Sequence, residues 1–148
     1  MYTPEEKNIL EQAAAIQKSK AILNKIEFSN AEFAGSYISN EIAHYEQEVF
    51  FVVFLNSQHF LIESEIMFKG TINASAVYPR EIIKRALSLN ASALILAHNH
   101  PSGVTTPSQS DKEVTYSIQR ACQLLDISLL DHFIVGSDVL SFAKTGLL

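Results

Sequence analysis

The sequence predicts an α/β fold in which helices flank a mixed sheet, with a helical extension at the N-terminus. Two segments, residues 49–55 and 91–97, are apolar runs interrupted only by Ser92, as expected for strands that are buried on both faces of a sheet. Residues 79–90 and 108–125 carry apolar side chains at the spacing of amphipathic helices. Strands that alternate with helices in this way indicate the α/β class.

The first predicted element is a helix over residues 4–26. Thr3 is its expected cap, and Pro4 occupies the first helical position, where a missing N–H costs nothing. Its apolar residues fall roughly on one side: Ile9, Leu10, Ala13, Ile16, Leu23 and Ile26.

A second helix is predicted from Ser29 to about His44, because Ser29 and Glu32 have the spacing of a capping box. We therefore assign residues 1–44 to a helical extension and residues 45–148 to one domain. The chain of 148 residues is long enough for a full hydrophobic core.

The predicted domain opens on a hairpin. Residues 49–55 are almost all β-branched or aromatic, which is typical of a central strand, and residues 56–59 form the turn that follows. The remaining elements are a strand at 60–68, a helix at 79–90, a strand at 91–97, a helix at 108–125 and strands at 127–135 and 139–142.

A candidate metal site lies where the run 91–97 ends. His98 and His100 are two residues apart, so both imidazoles leave the same face if the strand continues to its end. A loop with Pro and Gly follows, and Asp111 falls in the first turn of the next helix. Two imidazoles and a carboxylate suit a catalytic zinc, whose fourth position stays open for water.

The same residues have a purely structural interpretation. Ser108 and Asp111 have the spacing of a helix cap, with the carboxylate near the positive end of the helix dipole. A His-x-His pair alone is also weak evidence for a metal. Spacing and residue type leave both interpretations open.

The motifs resemble a known family. The pattern His-x-His, seven residues, Ser-x-x-Asp is similar to the zinc motif of the JAMM (MPN+) metalloproteases. The longer strings resemble the RadC family in particular, over roughly residues 46–148: His98-Asn-His-Pro-Ser-Gly103, Pro107-Ser108, Asp111, Leu130-Asp-His-Phe-Ile-Val-Gly136, Pro79-Arg-Glu-Ile-Ile-Lys-Arg-Ala-Leu87 and Asn90-Ala-Ser-Ala-Leu-Ile-Leu-Ala97.

The resemblance implies a JAMM/MPN architecture, which is cytidine-deaminase-like, and hydrolysis of an amide or isopeptide bond in a peptide or protein substrate. His98, His100 and Asp111 would hold Zn²⁺, and Ser108 would donate a hydrogen bond to the oxyanion. Glu48 matches the family's distant glutamate, the general base and acid. Glu46 competes for that role, and we prefer Glu48 because it directly adjoins the apolar run.

Two polar residues stand within the last long strand. Asp131 and His132 are out of character among apolar neighbours. One of them reaches the metal neighbourhood and orients a ligand there, or both lie at a sheet edge. The sequence leaves this choice open.

Charge and composition limit the partners. The net charge is −5, and only Arg80, Lys84 and Arg85 cluster among the basic residues, so we expect weak nucleic-acid binding by this domain alone. The apolar runs are too short to cross a membrane, and no signal peptide is visible. One cysteine, Cys122, suits a reducing cytoplasm.

The sequence also bears on two other functions. A zinc nucleoside deaminase needs His-x-Glu and Pro-Cys-x-x-Cys, which a chain with one cysteine cannot supply. The alternative that stays open is a scaffold or binding module without catalysis, acting in DNA repair or mobile-element metabolism, as the RadC resemblance implies.

Overall fold

The fold was analysed in a computed structural model, which describes residues 1–24, 27–28, 30–73 and 75–148. The helices are α1 (Pro4–Asn24), α2 (Ala31–Ile42), α3 (Pro79–Ser88) and α4 (Gln109–Leu124). The strands are β1 (Val49–Leu55), β2 (Leu61–Lys69), β3 (Ala93–Asn99), β4 (Ser128–Val135) and β5 (Val139–Ser141).

The five strands form one mixed sheet in the order β2-β1-β3-β4-β5. β1 is antiparallel to both β2 and β3, whereas β3 and β4 are parallel and joined through α4. All seven residues of β1 and of β3 are buried, which explains the apolar sequences of β1 and of residues 93–97. The predicted α/β class, with a mixed sheet flanked by helices, is confirmed.

Each face of the sheet has its own hydrophobic core. Because side chains alternate along a strand, one residue faces α2 and the next faces α3 and α4. The α2 side includes Phe51, Val53, Ile95 and Ala97. The opposite side holds Phe50, Val52, Leu94, Leu96 and the buried residues of α3 and α4. The candidate metal site belongs to this second side.

The N-terminal helices differ in detail from the predictions. Thr3 caps α1 as predicted, because its hydroxyl accepts from Glu6 N and its own N–H donates to the Glu6 carboxylate. Two residues on the apolar side of α1 are exposed: Ile9 and Ile16 are 64% and 61% exposed. α1 is instead tied to β2 by Lys18, which donates to the Ser64 carbonyl.

The cap of α2 is Asn30, whose side chain accepts from the N–H groups of Glu32 and Phe33. The observed cap therefore lies one residue after the predicted one, and the helix begins at Ala31. Ser29 itself and the predicted end of α1 at residues 25–26 lie outside the described residues, as does the side chain of Leu23.

The other elements match their predictions within two residues at each end. The most useful difference is at β3, which continues two residues beyond the predicted end and so includes His98 and Asn99. Within the described residues, no helix combines the length and the apolar content that a bilayer span demands.

Candidate metal centre

The two histidines converge at the carboxyl end of β3. His98 is the penultimate residue of the strand, and its side chain is fully buried. His100 follows the strand directly and remains fixed to the sheet, because its N–H donates to the Val135 carbonyl over 2.8 Å. Their Nε2 atoms lie 3.0 Å apart. The expected convergence of the two imidazoles on one face is therefore present.

Asp111 completes the group from the first turn of α4. Its Oδ1 lies 3.2 Å from His98 Nε2, and its Oδ2 lies 3.2 Å from His100 Nε2. The ligand atoms of these three residues all lie within 4.8 Å of one another, so the group could hold a metal ion. The carboxylate is almost completely buried.

Asp111 also belongs to a capping box. Ser108 is the N-cap of α4: its Oγ accepts from Asp111 N over 3.0 Å, and its N–H donates to Asp111 Oδ2 over 2.8 Å. The predicted cap is therefore present, and the geometry is also compatible with Asp111 as a metal ligand. The cap holds the carboxylate in the orientation in which it meets the imidazoles.

Hydrogen bonds on the outer sides of the rings fix which nitrogens carry protons. His100 Nδ1 lies 2.7 Å from the Val104 carbonyl oxygen. A carbonyl oxygen can only accept, so Nδ1 carries the proton, and Nε2 of the neutral ring has a free lone pair.

The proton position on His98 depends on two further residues, Thr115 and His132. The Thr115 hydroxyl donates its one proton to the Asp111 carbonyl over 2.7 Å, so it must accept from His132 Nδ1, 2.6 Å away. His132 Nε2 therefore carries a lone pair and accepts from His98 Nδ1 over 2.8 Å. In the neutral ring of His98, the lone pair is then on Nε2 and faces the candidate site.

Burial and neighbouring groups set the charges of this cluster. Burial holds the pKa of His132 well below its ordinary value, and the nearby His98 lowers that pKa further, so His132 stays neutral. Burial alone would raise the pKa of Asp111, but His98 in its protonated form outweighs this effect through its hydrogen bond and charge, with smaller contributions from the Ser108 N–H and from His100. The pKa of Asp111 therefore lies well below its usual range, and the carboxylate is ionised.

Three acceptor atoms thus face one another. Two imidazole lone pairs and a carboxylate at 3.0–3.2 Å repel unless a cation, a proton or a metal ion, lies among them. Ligands about 2.0–2.1 Å from zinc in a tetrahedron lie about 3.3 Å apart. The residues present fit a zinc ion in donor type, proton position and spacing.

The aromatic surroundings keep these rings in place. Phe50 is stacked on His98, with ring centroids 6.4 Å apart, and Phe142 is stacked on His132 at 4.7 Å. His132 is fully buried. The side of His98 that faces His132 is therefore closed to solvent.

Glu48 lies just before β1, half-buried, and is not one of the three clustered ligand residues. Phe50 pairs with His98 in the antiparallel register of β1 and β3, and continuing that register places Glu48 opposite His100 on the same face. Ile72 N donates to Glu48 Oε2 over 2.8 Å, which holds the carboxylate. Its competitor Glu46 is exposed, with an oxygen 4.0 Å from Lys7 Nζ.

The two polar residues of β4 separate. The side chain of His132 joins the candidate centre, as described above. Asp131 instead accepts from Ser141 Oγ and from the N–H groups of His132 and Ala143, so it fastens β5 and the turn after it. Thr115 was not among the predicted site residues, although its position four residues after Asp111 places it on the same side of α4.

Comparison with known proteins gives a consistent match. The family model described as "RadC-like JAB domain" matches residues 28–147. A UPF0758 protein of Vibrio cholerae is 45% identical over 141 residues, which cover 95% of this chain and 89% of the relative. A UPF0758 protein of Actinobacillus succinogenes is 57% identical over 119 residues, or 80% of this chain and 54% of the relative.

A UPF0758 protein of Haemophilus influenzae is 61% identical over 113 residues, covering 76% of this chain and 51% of the relative. Apart from the Vibrio cholerae protein, the chain therefore spans about half the length of these relatives.

Proposed function

The chain belongs to the family of RadC-like JAB domains, and we propose that it is a zinc-dependent hydrolase that cleaves an amide or isopeptide bond of a peptide or protein. One observation carries the proposal. His98, His100 and Asp111 turn two imidazole nitrogens and a carboxylate toward one point, and this buried set needs a cation, either a proton or a metal ion, among its atoms. Three protein ligands leave one coordination position open, as a catalytic zinc needs.

The chemistry that a bound zinc supplies is a coordinated water with a pKa lowered toward about 7 and a Lewis acid for the substrate carbonyl. Glu48 acts as the general base and then as the acid that returns the proton to the leaving amine. Two observations support this role for Glu48. The register of β1 and β3, when continued, sets Glu48 opposite His100, and the Ile72 N–H donates to the Glu48 carboxylate.

Ser108 donates a hydrogen bond to the oxyanion. Its Oγ accepts from Asp111 N as the cap of α4, and accepting uses a lone pair rather than the hydroxyl proton. The proton therefore remains for an oxyanion beside the candidate centre.

The experiment compares the metal-loaded wild type with Glu48→Gln on a panel of internally quenched peptides that contain either an α-amide or a lysine ε-amide bond. Protein purified without added metal should hold about one zinc per chain by elemental analysis. Turnover should fall on the order of 10²-fold or more in Glu48→Gln, with zinc content unchanged.

Glu46→Gln is the matched control, since Glu46 is exposed and lies only two residues away. It should retain turnover. Absence of divalent metal even after zinc is supplied would refute the proposal. Zinc binding without cleavage of any peptide in the panel would favour a scaffold over an enzyme.

A further inference from the structure

Asn99, between the two candidate ligands, has a buried side chain with three hydrogen bonds. Its Oδ1 accepts from Val49 N over 2.7 Å. Its Nδ2 donates to the carbonyls of Tyr45 and Gln47 over 3.1 and 3.0 Å. Only 2% of Asn99 is exposed; its bond to Val49 N is buried, and its bonds to the Tyr45 and Gln47 carbonyls are part-buried.

These bonds all fall on the segment that carries Glu48. The Gln47 carbonyl and the Val49 N–H are the main-chain groups on either side of Glu48, and Asn99 holds both. Gly70 N binds the Glu48 carbonyl itself over 2.9 Å. The peptide units around Glu48 are thus fixed, on one side by β3 and on the other by the turn after β2.

Alternation along β3 explains why Asn99 can do this without entering the candidate centre. His98 and His100 project toward α4, so the residue between them projects toward α2, where residues 43–48 pass. Residues 98–100 therefore place the two candidate metal ligands on one face of the sheet. On the other face, Asn99 holds the segment that carries Glu48.

We infer that Asn99 is a positioning residue that holds Glu48 in register with the His98 and His100 pair. This inference rests on the proposed role of Glu48 as general base. An error of about 1 Å in the placement of such a group can cost on the order of 10²-fold in rate. A side chain that makes three bonds to the flanking peptide units suits that task.

The test uses Asn99→Ala and the near-isosteric Asn99→Asp. Asn99→Asp keeps an acceptor for Val49 N but sets an oxygen against the carbonyls of Tyr45 and Gln47. On the peptide panel, kcat should fall about 10²-fold with KM unchanged, while zinc affinity measured by calorimetry stays at the wild-type value. In a Glu48→Gln background neither substitution should reduce the residual rate further, because Asn99 acts through Glu48.

The matched control is Asn56→Ala, at the other end of β1. Asn56 Oδ1 accepts from Gln58 N and Phe60 N, so its loss also removes side-chain bonds to a turn. It should leave kcat unchanged. An Asn99 effect that is equally large in the Glu48→Gln background, or that follows a loss of zinc affinity, would overturn the inference.

Amide hydrogen exchange gives a readout without turnover. Asn99→Ala should accelerate exchange at Val49 by about tenfold or more, with Val52 in the middle of β1 unaffected. If the wild type cleaves no peptide, the proposed function fails. Unchanged exchange at Val49 in Asn99→Ala would independently refute the inference that Asn99 holds this segment.

Discussion

The Nδ1 atom of His98 lies 2.8 Å from the Nε2 atom of His132, while the other nitrogen of His98 faces Asp111. His132 is in turn bound to Thr115, and Thr115 to the main chain of α4. The proton position on His98 is therefore set by two buried side chains, those of His132 and Thr115. Thr115 lies on α4, the helix that also carries Asp111.

The first prediction concerns Thr115→Val, a change of similar volume. Without the hydroxyl, His132 Nδ1 loses its acceptor and the tautomer that receives the His98 proton is no longer favoured. We expect zinc affinity to fall about tenfold, the range for partners that orient a ligating histidine. Calorimetric titration of the apo protein measures this, and Thr115→Ser, which keeps the hydroxyl, should match the wild type. Equal affinities for all three proteins would show that the chain does not orient His98.

The second prediction concerns Asp111→Asn. The change removes the anionic oxygen between the two imidazoles, so zinc affinity should fall by an order of magnitude or more, and the thermal stabilisation by added zinc should shrink. If the residue were only a cap, the cost would be at most about 1 kcal/mol of stability with zinc affinity unchanged. Calorimetry on the apo forms separates the two results.

Ser108→Ala is the counterpart of that variant. It loses the cap of α4, which costs about 1 kcal/mol, but removes no metal ligand. Zinc affinity should stay at the wild-type value, while hydrolysis slows on the order of 10²-fold because the oxyanion loses a donor. Loss of zinc affinity in Ser108→Ala would mean that the cap, rather than the carboxylate charge, governs binding.

The third prediction is a pH effect at Glu41 in α2. Burial raises the pKa of Glu41, with Lys18 acting in the opposite direction, and its Oε1 is buried without a hydrogen-bond partner among the described residues. A carboxyl group with a raised folded pKa stabilises the fold fully below its ordinary pKa, and this contribution is lost as the pH rises through the raised value.

Glu41→Gln should therefore be more stable than the wild type at neutral pH, by on the order of 1 kcal/mol, and the gain should vanish in acid. Urea unfolding at several pH values measures it. Glu11→Gln, an exposed position on α1, is the control and should change little. A less stable Glu41→Gln at neutral pH would contradict the prediction.

The fourth prediction concerns DNA. The chain is acidic overall, and in the basic cluster Arg85 already pairs with Glu65, with Nε and Oε1 2.9 Å apart. Binding to a short duplex should be weak and lost at about 0.15 M salt. Fluorescence anisotropy across a salt series tests this. Tight binding that persists at high salt would reveal a nucleic-acid surface that the charge distribution does not suggest.

The sequence predicted the elements because their local signals are strong. The apolar segments that form β1 and most of β3 have apolar side chains toward both faces of the sheet. Pro4 and Pro79 occupy the first positions of α1 and α3. For α1, the helical spacing shows which residues share a side but not whether that side meets the domain, and Ile9 and Ile16 are exposed.

The candidate site was predictable only in part. His98, His100 and Asp111 lie within 14 residues of one another, so their spacing carries information. The Asn99 bonds join residues 50 to 54 apart in the sequence, and the contact of His98 with His132 spans 34, so no local pattern reports them. Likewise, the sequence could not decide between Asp131 and His132, because this depends on which face of β4 each residue occupies.

The alternation at residues 98–100 limits how this segment can evolve. A substitution at Asn99 removes its hydrogen bonds to residues 45–49 but leaves the imidazoles in place. Deletion of one residue would instead exchange the two faces of the strand. The imidazoles would then turn toward the apolar packing of α2, and the amide would turn toward the acceptor atoms of His132 and Asp111. Length is therefore a stricter requirement here than identity at the middle position.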